Sequence, residues 1–409
     1  MASITKPAGT ARLLSQMGMA LLLTAGLWTM SRPGVTGTAG AAELEKIPVA
    51  YLSQIVERPP KLSNLDLPPE DEGIAGGLLS IKDNNTTGRF MGQEFILEYV
   101  EVPADGDAVA AFEGLIAGGV QHVVLNVPAA ALIEMADRAK GKDVLLFNAG
   151  AMDDRLRNAD CRANLLHIVP SRAMMADALA QFLVWKRWRN WFLIVGSREG
   201  DALLGDAFHR AARRFGGKIV EERRWDYGPD ARRTAQAEVP AFTQDVDYDV
   251  LVVADEIGEF GEYLAYRTWD PRPIVGTQGL TPTTWHRTHE QWGAAQLQSR
   301  FLKATGRDMT PLDYHVWAAI RAIGEGATRS GSAAFTAVRD YIRGPDFELG
   351  GFKGQKLTFR DWNGQLRQPI LLAAPRALVS ASPQQGFLHE RTLLDTLGYD
   401  KPESECHFE

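Results

Sequence analysis

Short apolar segments rich in β-branched residues alternate with segments of helical periodicity along most of the chain, and this alternation constrains the fold more than any other feature. Nine segments are predicted to be strands: residues 47–52, 94–102, 122–127, 143–150, 165–170, 190–196, 218–225, 249–255 and 272–277. Most of them are apolar along much of their length, which is typical of parallel sheets covered by helices on both faces. The pattern therefore predicts an α/β protein built on parallel sheets.

The segments between these strands predict helices, and the order of the elements predicts two lobes. The predicted helices are residues 70–84, 107–118, 129–140, 171–186, 203–215, 230–242 and 260–268. The first is expected to end at Asn84-Asn85, because asparagines and a following turn commonly end helices. The strand–helix rhythm restarts after Asp160. We therefore expect two doubly wound lobes joined by crossovers, with a ligand cleft between them.

The C-terminal part of the chain completes both lobes in this prediction. Helices dominate residues 288–343, and strands return at residues 356–361 and 368–374. The predicted division assigns residues 42–166 and 291–352 to the first lobe. It assigns residues 167–290 and 353–409 to the second.

The first 41 residues have the order of a cleaved secretory signal. Lys6 and Arg12 precede an apolar run at residues 17–30, and an A-x-A site stands at Ala39-Gly40-Ala41. The run is too short to span a bilayer as a mature helix, so no membrane insertion is expected. A transit peptide or a buried helix is the alternative interpretation. The signal predicts a periplasmic mature protein.

Charge and cysteine content fit this compartment. Without residues 1–41 the chain loses three basic residues and no acidic one, so its net charge falls from −7 to about −10. Such a surface disfavours nucleic acid as a partner. The chain holds two cysteines, Cys161 and Cys406. In an oxidising compartment a disulfide between them is favoured over two unpaired thiols.

The expected cleft gives the candidate ligand-binding residues. Ligands of open parallel sheets bind beyond the carboxyl ends of the strands, where helix N-termini present free N–H groups. In two facing lobes those ends meet in the cleft. The candidates follow the strand ends and are Tyr51, Gln54, Asn126 and Asn148 in the first lobe, and Arg172, Arg198, Gln278, Trp285, His286 and Arg287 in the second.

Several segments, in order and spacing, resemble the type I periplasmic solute-binding proteins of ABC importers, the leucine/isoleucine/valine-binding group. The carriers are IPVAYL, IAGGLLSIKDNNTTGRFMGQEFILEYVEV, VGSREGDALLGDAFHRAARRFGGKIV and LTFRDWNGQLRQPILL. The resemblance covers the whole mature chain. It implies the periplasmic binding protein type I fold, a small-molecule ligand, ABC permease transmembrane subunits as partner, a monomer and no catalytic residues.

Three further segments resemble the branch associated with PQQ-dependent alcohol dehydrogenase systems: LPPEDEGIAGG, FLVWKRWRNWFLIVGSREGDALLGDAFHR and GTQGLTPTTWHRTHEQWGAAQLQSRF. This resemblance implies pyrroloquinoline quinone (PQQ), a flat tricyclic quinone with three carboxylates, as a bound or transported ligand and not as a catalytic cofactor. A planar trianion needs aromatic faces and guanidinium groups. Trp285, Arg172, Arg198 and Arg287 can supply them. A core role for Trp285 and a solvated role for the arginines are the alternatives.

The chain departs from the amino-acid-binding pattern in the loops at residues 126–131 and 148–154, which are almost without hydroxyls. Gln278 stands, by alignment, where that group has an acid facing the ligand's ammonium. A buried unpaired ammonium is costly, so a branched-chain amino acid is disfavoured. Another small organic acid or an amino-acid-like ligand is the alternative.

Metal and enzyme functions are weaker alternatives on the same residues. His286 and His289 form H-x-x-H before Glu290, but a zinc site needs a third protein ligand and neither H-E-x-x-H nor H-x-x-E-H is present. A polar or packing role is favoured for His289. His286 is expected either to donate to a ligand carboxylate or to cap a helix. No serine-centred elbow or Walker motif is present, which leaves only an enzyme of the quinone or alcohol system without a visible motif.

Overall fold

The computed structural model describes residues 44–57, 67–226 and 231–408. The predicted signal at residues 1–41 lies outside these ranges. Within them, no helix is both long enough and apolar enough to cross a membrane.

The first lobe is built on a five-stranded parallel sheet with the order β2-β1-β3-β4-β5. The inner strands are buried at almost every position, which is why the sequence is apolar along their whole length. The elements are β1 (Glu45–Gln54), α1 (Ile74–Met91), β2 (Gln93–Val102), α2 (Ala108–Ala117), β3 (His122–Asn126), α3 (Ala129–Arg138), β4 (Leu145–Asn148) and β5 (Leu165–His167).

The second lobe is built on a four-stranded parallel sheet with the order β7-β6-β8-β9. Its central strands β6 and β8 are buried, and the edge strand β7 is largely exposed. The elements are α4 (Arg172–Trp185), β6 (Asn190–Val195), α5 (Glu199–Phe215), β7 (Lys218–Arg224), α6 (Ala231–Thr243), β8 (Val250–Ala254), α7 (Gly261–Leu264) and β9 (Ile274–Gly276). Together the two sheets confirm the predicted two-lobed α/β architecture.

The remaining elements return to both lobes. They are β10 (Thr281–Thr283), α8 (Ala294–Thr305), α9 (Pro311–Ser330), α10 (Phe335–Arg343), β11 (Leu349–Gly350), β12 (Lys356–Phe359), β13 (Leu366–Arg367), β14 (Ile370–Ala374) and β15 (Ala377–Ser382). Helices α8, α9 and α10 supply core residues to the first lobe. Strands β10, β14 and β15 form an antiparallel sheet that packs against α4.

The predicted end of the first helix is wrong, because α1 continues to Met91. Asn84 is buried and its side-chain amide donates to the carbonyl of Ile320 at 2.8 Å. The Asn85 side chain bonds both backbone groups of Phe95. These amides therefore find tertiary partners and do not compete with the helix backbone. The helix ends at Gly92, which has a left-handed φ of 71°.

Helices α1 and α9 cross at very close range in the first-lobe core. A Cβ on Gly76 would lie 2.0 Å from the carbonyl oxygen of Asp313, so only glycine fits at this crossing. The carboxylate of Asp313 also accepts the backbone N–H of Gly73 at 2.8 Å. The crossing fixes the N-termini of both helices beside the carboxyl end of β1.

The chain passes between the first-lobe and second-lobe cores at residues 168–174, 275–285 and 366–370. Buried polar side chains within and beside these passages bond each other, and Gln368 Nε2 donates to the carbonyl of Ile168 at 2.6 Å. His289 Nε2 donates to the carbonyl of Phe352 at 2.8 Å, and Lys353 Nζ donates to Gln368 Oε1 at 2.7 Å. Lys353 also lies 4.5 Å from the Tyr314 ring centre, and its burial holds its pKa well below the usual lysine range. Buried hydrogen bonds therefore hold these parts of the chain together.

Four core clusters lie on the two sheets, two on each, and include some residues from distant parts of the chain. Trp285, Leu357 and Leu366 pack in the first-lobe core. The predicted division assigns all three to the second lobe. The division at residues 166/167, 290/291 and 352/353 itself stays a prediction.

A disulfide joins Cys161 and Cys406, whose Cα atoms are 5.6 Å apart. Cys161 lies between β4 and β5 in the first lobe. Cys406 lies near the C-terminal end of the described residues, after residues that pack on the second lobe.

Candidate functional site

The first-lobe edge of the cleft is formed where β1 and β3 end. Tyr51 is fully buried and stacks on Tyr99, with 5.4 Å between ring centres, and burial raises the pKa of its phenol to about 12. Asn126 donates to the hydroxyl of Ser53 at 3.0 Å. A Cβ on Gly150 would lie 2.0 Å from Asn126 Oδ1, so the loop after β4 approaches this amide closely. Its described side chains Asn126 and Ser53 present amide and hydroxyl groups.

Two other predicted residues on this edge hold backbone loops. The Gln54 amide donates to the carbonyls of Ala104 and Gly106, at 3.3 and 3.1 Å. Asn148 is fully buried, accepts the N–H of Ala151 at 2.9 Å and donates to its carbonyl at 2.8 Å. Both side chains position the loops that border the cleft.

The second-lobe edge is centred on Arg172, at the start of α4. Its Nε and Nη2 each lie 2.7 Å from a carboxylate oxygen of Glu256, which is a bidentate pair. Its Nη1 lies 3.1 Å from Asp153, in the first-lobe loop after β4. A Cβ on Gly200 would lie 2.4 Å from Glu256, so glycine is required beside the pair. Arg172 therefore connects charged groups of both lobes.

Four more charged residues follow β6 and β8 on the same edge. Arg198 pairs with Glu259, whose side chain is 3% exposed, whereas that of Arg198 is 59% exposed. Asp201 accepts the N–H of Glu256 at 2.7 Å. Asp255 accepts three backbone N–H groups at the start of α7. Counting Asp153 and Glu256, five carboxylates surround two guanidinium groups, so the edge carries an acidic excess.

Sequence reasoning missed the acids Asp153, Glu256 and Glu259. Their position in the sequence could have identified them, because each stands in a loop that follows a strand, as the predicted cleft residues do. Burial raises the pKa of the Glu256 carboxyl, although Arg172 opposes this shift.

A cavity of about 120 Å³ opens beside Arg172 and Glu256. Met152 of the first lobe and side chains of α4, α5 and β10 form its walls. The lining is mostly apolar and comprises Met152, Met175, Leu204, Phe208, Gly276, Thr277, Thr281 and Pro282. A charged pair at an apolar pocket is an arrangement that can orient a small ligand.

A second cavity of about 320 Å³ lies between β10, the end of β14 and the N-terminus of α9. It brings together four of the predicted residues, Gln278, Trp285, His286 and Arg287. Thr281 lines both cavities, so the two are adjacent. Of the other six predicted residues, Arg172 lines the smaller cavity, and Arg198 lies outside both.

Side chains of this cavity differ in how far they are available to a ligand. Trp285 is 1% exposed and stacks on Tyr314, with 4.7 Å between ring centres. His286 Nδ1 lies 2.8 Å from the hydroxyl of Thr288, and burial lowers the pKa of the ring. Arg287 is half exposed; it donates to the carbonyl of Pro375 at 3.1 Å and lies 3.9 Å from Asp308. The guanidinium group of Arg287 is thus only weakly paired within the protein.

His289 lies apart from this cavity, buried against the ring of Trp285 and bonded to the carbonyl of Phe352. Among the described residues, no group of three or more His, Cys, Asp or Glu side chains is placed to hold a metal ion.

Comparison with known proteins finds structural likeness and no sequence-level match. No protein-family model and no curated protein matches the chain. A branched-chain amino acid ABC transporter periplasmic ligand-binding protein from Burkholderia xenovorans is 16% identical with a TM-score of 0.68, over 88% of this chain and 99% of that one.

Two solute-binding proteins of ABC transporters from Rhodopseudomonas palustris are similar in the same way. One, in complex with benzoate, is 11% identical with a TM-score of 0.64, over 88% of this chain and 99% of that one. The other, in complex with 3,4-dihydroxybenzoic acid, is 14% identical with a TM-score of 0.58, over 80% and 93%. At identities this low, the structural likeness establishes the fold alone. The chain has the two-lobed fold of the type I periplasmic binding proteins of ABC transporters.

Proposed function

We propose that this protein is the periplasmic substrate-binding component of an ABC transporter. It takes a small ligand between its lobes and delivers it to the permease transmembrane subunits. The observation that carries the proposal is the pair of adjacent cavities, the smaller of which has walls from both lobes, together with the Arg172 ion pairs that reach residues of both lobes. No bond is broken in this function. A ligand that contacts both lobes favours the closed state by its greater affinity for that state.

The proposed ligand is a small organic acid with a flat ring, and PQQ is the specific candidate that the sequence resemblance names. The larger cavity falls within the usual range of small-ligand sites, about 300–1,000 Å³. Arg287 can pair with a ligand carboxylate if it gives up its hydrogen bond to the carbonyl of Pro375 and its 3.9 Å contact with Asp308. Two proteins of the same fold are known in complex with aromatic acids, benzoate and 3,4-dihydroxybenzoic acid.

One observation favours a second candidate, an amino-acid-like ligand. The second-lobe edge carries more carboxylates than guanidinium groups. The Glu256 carboxylate already binds Nε and Nη2 of Arg172. A ligand carboxylate could reach Arg172 only by displacing Glu256, whereas an ammonium would find a carboxylate already in place. The acidic excess therefore supports a zwitterion at the smaller cavity.

Calorimetry on the purified protein, with PQQ, benzoate and leucine as probes at fixed ionic strength, separates these candidates, since charge pairing is screened by salt. For an aromatic acid at the larger cavity, Arg287→Ala should weaken binding more than tenfold, because losing a desolvated charge partner costs about 2–5 kcal/mol. Arg376→Ala is the matched control, since Arg376 is exposed on the turn after Pro375.

The Glu256→Gln variant tests the second candidate. It should weaken leucine binding more than tenfold and leave aromatic acids unaffected or tighter, because a negative charge is removed. Binding of no probe by the parent would overturn the ligand assignment. Sensitivity to a chelator would favour the metal receptor, and turnover of a probe would favour an enzyme.

A further inference from the structure

The C-terminal tail, residues 397–408, contacts both lobes. At its start, Leu397 is buried in the second-lobe core. The N–H of Gly398 donates to the buried carboxylate of Asp177 on α4 at 2.9 Å. Arg210 and Arg214 of α5 both donate to the carbonyl of Gly398 and both pair with Asp177. Arg360, directly after β12, also donates to the carbonyls of Leu397 and Tyr399, at 2.8 and 3.3 Å. The beginning of the tail is therefore fixed on the second lobe and on the turn after β12.

The end of the tail is fixed on the first lobe. The Ser404 hydroxyl donates to the carbonyl of Arg157 at 3.4 Å, and the N–H of Glu405 donates to the Asn158 side chain. Cys406 is bonded to Cys161. The guanidinium of Arg343, on α10, lies over the ring of Phe408 at 5.5 Å.

The chain between the two anchors holds little spare length. It contains a 3₁₀ turn at Lys401–Glu403, closed by a capping box between Asp400 and Glu403. Glu403 also pairs with Arg210 at 3.2 Å. Unwinding three residues from a 3₁₀ turn to extended chain releases about 4 Å. Any rotation that moves α5 away from Cys161 by more than this must pull the tail off the second lobe.

We propose that the C-terminal tail is a strap between the lobes, which the Cys161–Cys406 disulfide makes covalent and which limits how far the cleft opens. The first-lobe end of the strap cannot detach while the disulfide is intact. Opening therefore works against the buried contacts of Gly398 on the second lobe. Without the disulfide, only noncovalent contacts hold the end of the tail on the first lobe, among them the Ser404 and Glu405 hydrogen bonds and the Phe408 ring contact.

The test measures the separation of the lobes in the protein without ligand, so its result is independent of the proposed function. Spin labels are attached to ketone-bearing amino acids at Glu101 and Asp226. Both positions are exposed and lie at the carboxyl ends of the edge strands β2 and β7. Pulsed dipolar EPR then gives the distance distribution with the native cysteines untouched.

The Cys161→Ser/Cys406→Ser variant should give a broader distribution, with its mean several ångströms longer than the parent's. The Asp400→Ala/Glu403→Ala variant keeps the disulfide but loosens the turn, so its mean should shift in the same direction by a smaller amount. Glu405→Gln changes an exposed tail side chain and should match the parent.

Parent-like distributions for both multiple variants would overturn the strap. A thermal melt checks that each variant is folded. If removal of the cysteines unfolds the protein, the Asp400→Ala/Glu403→Ala variant decides the question alone, because its disulfide is intact. A parent-like distance in that folded variant then rejects the proposal.

Discussion

Trp285 and Trp292 show how differently two tryptophans of one sequence stretch can be placed. Trp285 is 1% exposed and stacks on Tyr314 in the first-lobe core. Trp292 is 53% exposed, has a left-handed φ of 54° and covers Gly354, where a Cβ would lie 2.5 Å from the indole. The core alternative for Trp285 was open from the sequence. Because the Trp285 ring is buried, a substitution at Arg287 is the more direct test of ligand binding.

Replacement of each tryptophan by alanine should separate these roles. Trp285→Ala is expected to lower the free energy of unfolding by about 3–5 kcal/mol, the usual cost of removing a large aromatic side chain from a core. Trp292→Ala should cost about 1 kcal/mol or less, because half of its side chain already meets solvent. Urea denaturation measures both. Equal losses would contradict the assignment of Trp285 to the core.

Side-chain partners explain why the site could be predicted only in part. Position after a strand end was enough to select Arg172. It could not show that Arg172 binds Glu256, because the partner lies 84 residues away and only the packing of α4 against the sheet brings them together. The amides of Gln54 and Asn148 hold loops in this structure, which position alone could not show, and their ligand contacts stay predictions.

At the scale of elements, His315 ties α9 to the loop after β4 and to the segment after β10. Its Nδ1 lies 2.9 Å from the carbonyl oxygen of Ala149, and its Nε2 lies 2.8 Å from the hydroxyl of Thr284. The neutral ring with its proton on Nδ1 satisfies both bonds, since the hydroxyl can donate to Nε2. Burial lowers the pKa of His315 from 6.5 to about 3.

This lowered pKa predicts a loss of stability in acid. Above pH 6.5 the ring is neutral in both the folded and unfolded states. As the pH falls from 6.5 towards 3, the unfolded state binds a proton that the folded state does not, so folding weakens by about 1.4 kcal/mol per pH unit. Urea midpoints at pH 8, 6.5 and 5 should show a shallower decline in His315→Gln than in the parent. His407→Gln, which alters an exposed ring, is the control and should keep the parent's slope.

The nine predicted strands all correspond to observed strands, β1 to β9. The central strands have buried faces that leave an apolar run, whereas the edge strand β7 has no buried residue. The strands β10, β11, β13 and β15 were not predicted. Three of them have two or three residues, too few for any periodicity. The predicted helix at residues 260–268 is only the turn Gly261–Leu264. Helix boundaries failed where tertiary contacts satisfied the residues that usually end helices, as at Asn84.

At the scale of the whole molecule, the restart of the strand–helix rhythm was sufficient to predict two lobes. It could not show which lobe each C-terminal segment joins. Leu357 and Leu366 pack with α9 in the first lobe, and Ile370 packs in the second. The crossing between them takes only a few residues and leaves no mark in the hydrophobic pattern.

The proposed export also predicts a measurable property of the whole chain. The mature protein should begin near Ala42 or Glu43, because the basic, apolar and small-residue regions before it follow the order of a cleaved signal. Intact mass of protein recovered from the periplasm gives the new N-terminus directly. A mass that includes residues 1–30 would contradict the signal prediction.

The close crossing of α1 and α9 has a consequence for biosynthesis. The partners that bury α1, such as Trp317 and Ile320, lie more than 230 residues further along the chain. A chain that emerges from its N-terminus therefore exposes the apolar side of α1 until nearly all of it has been synthesised, whereas β6 and β8 can pair much earlier. Non-local contacts of this kind form late and leave aggregation-prone surfaces open meanwhile. The nascent first lobe is thus the stretch that a holding chaperone must cover.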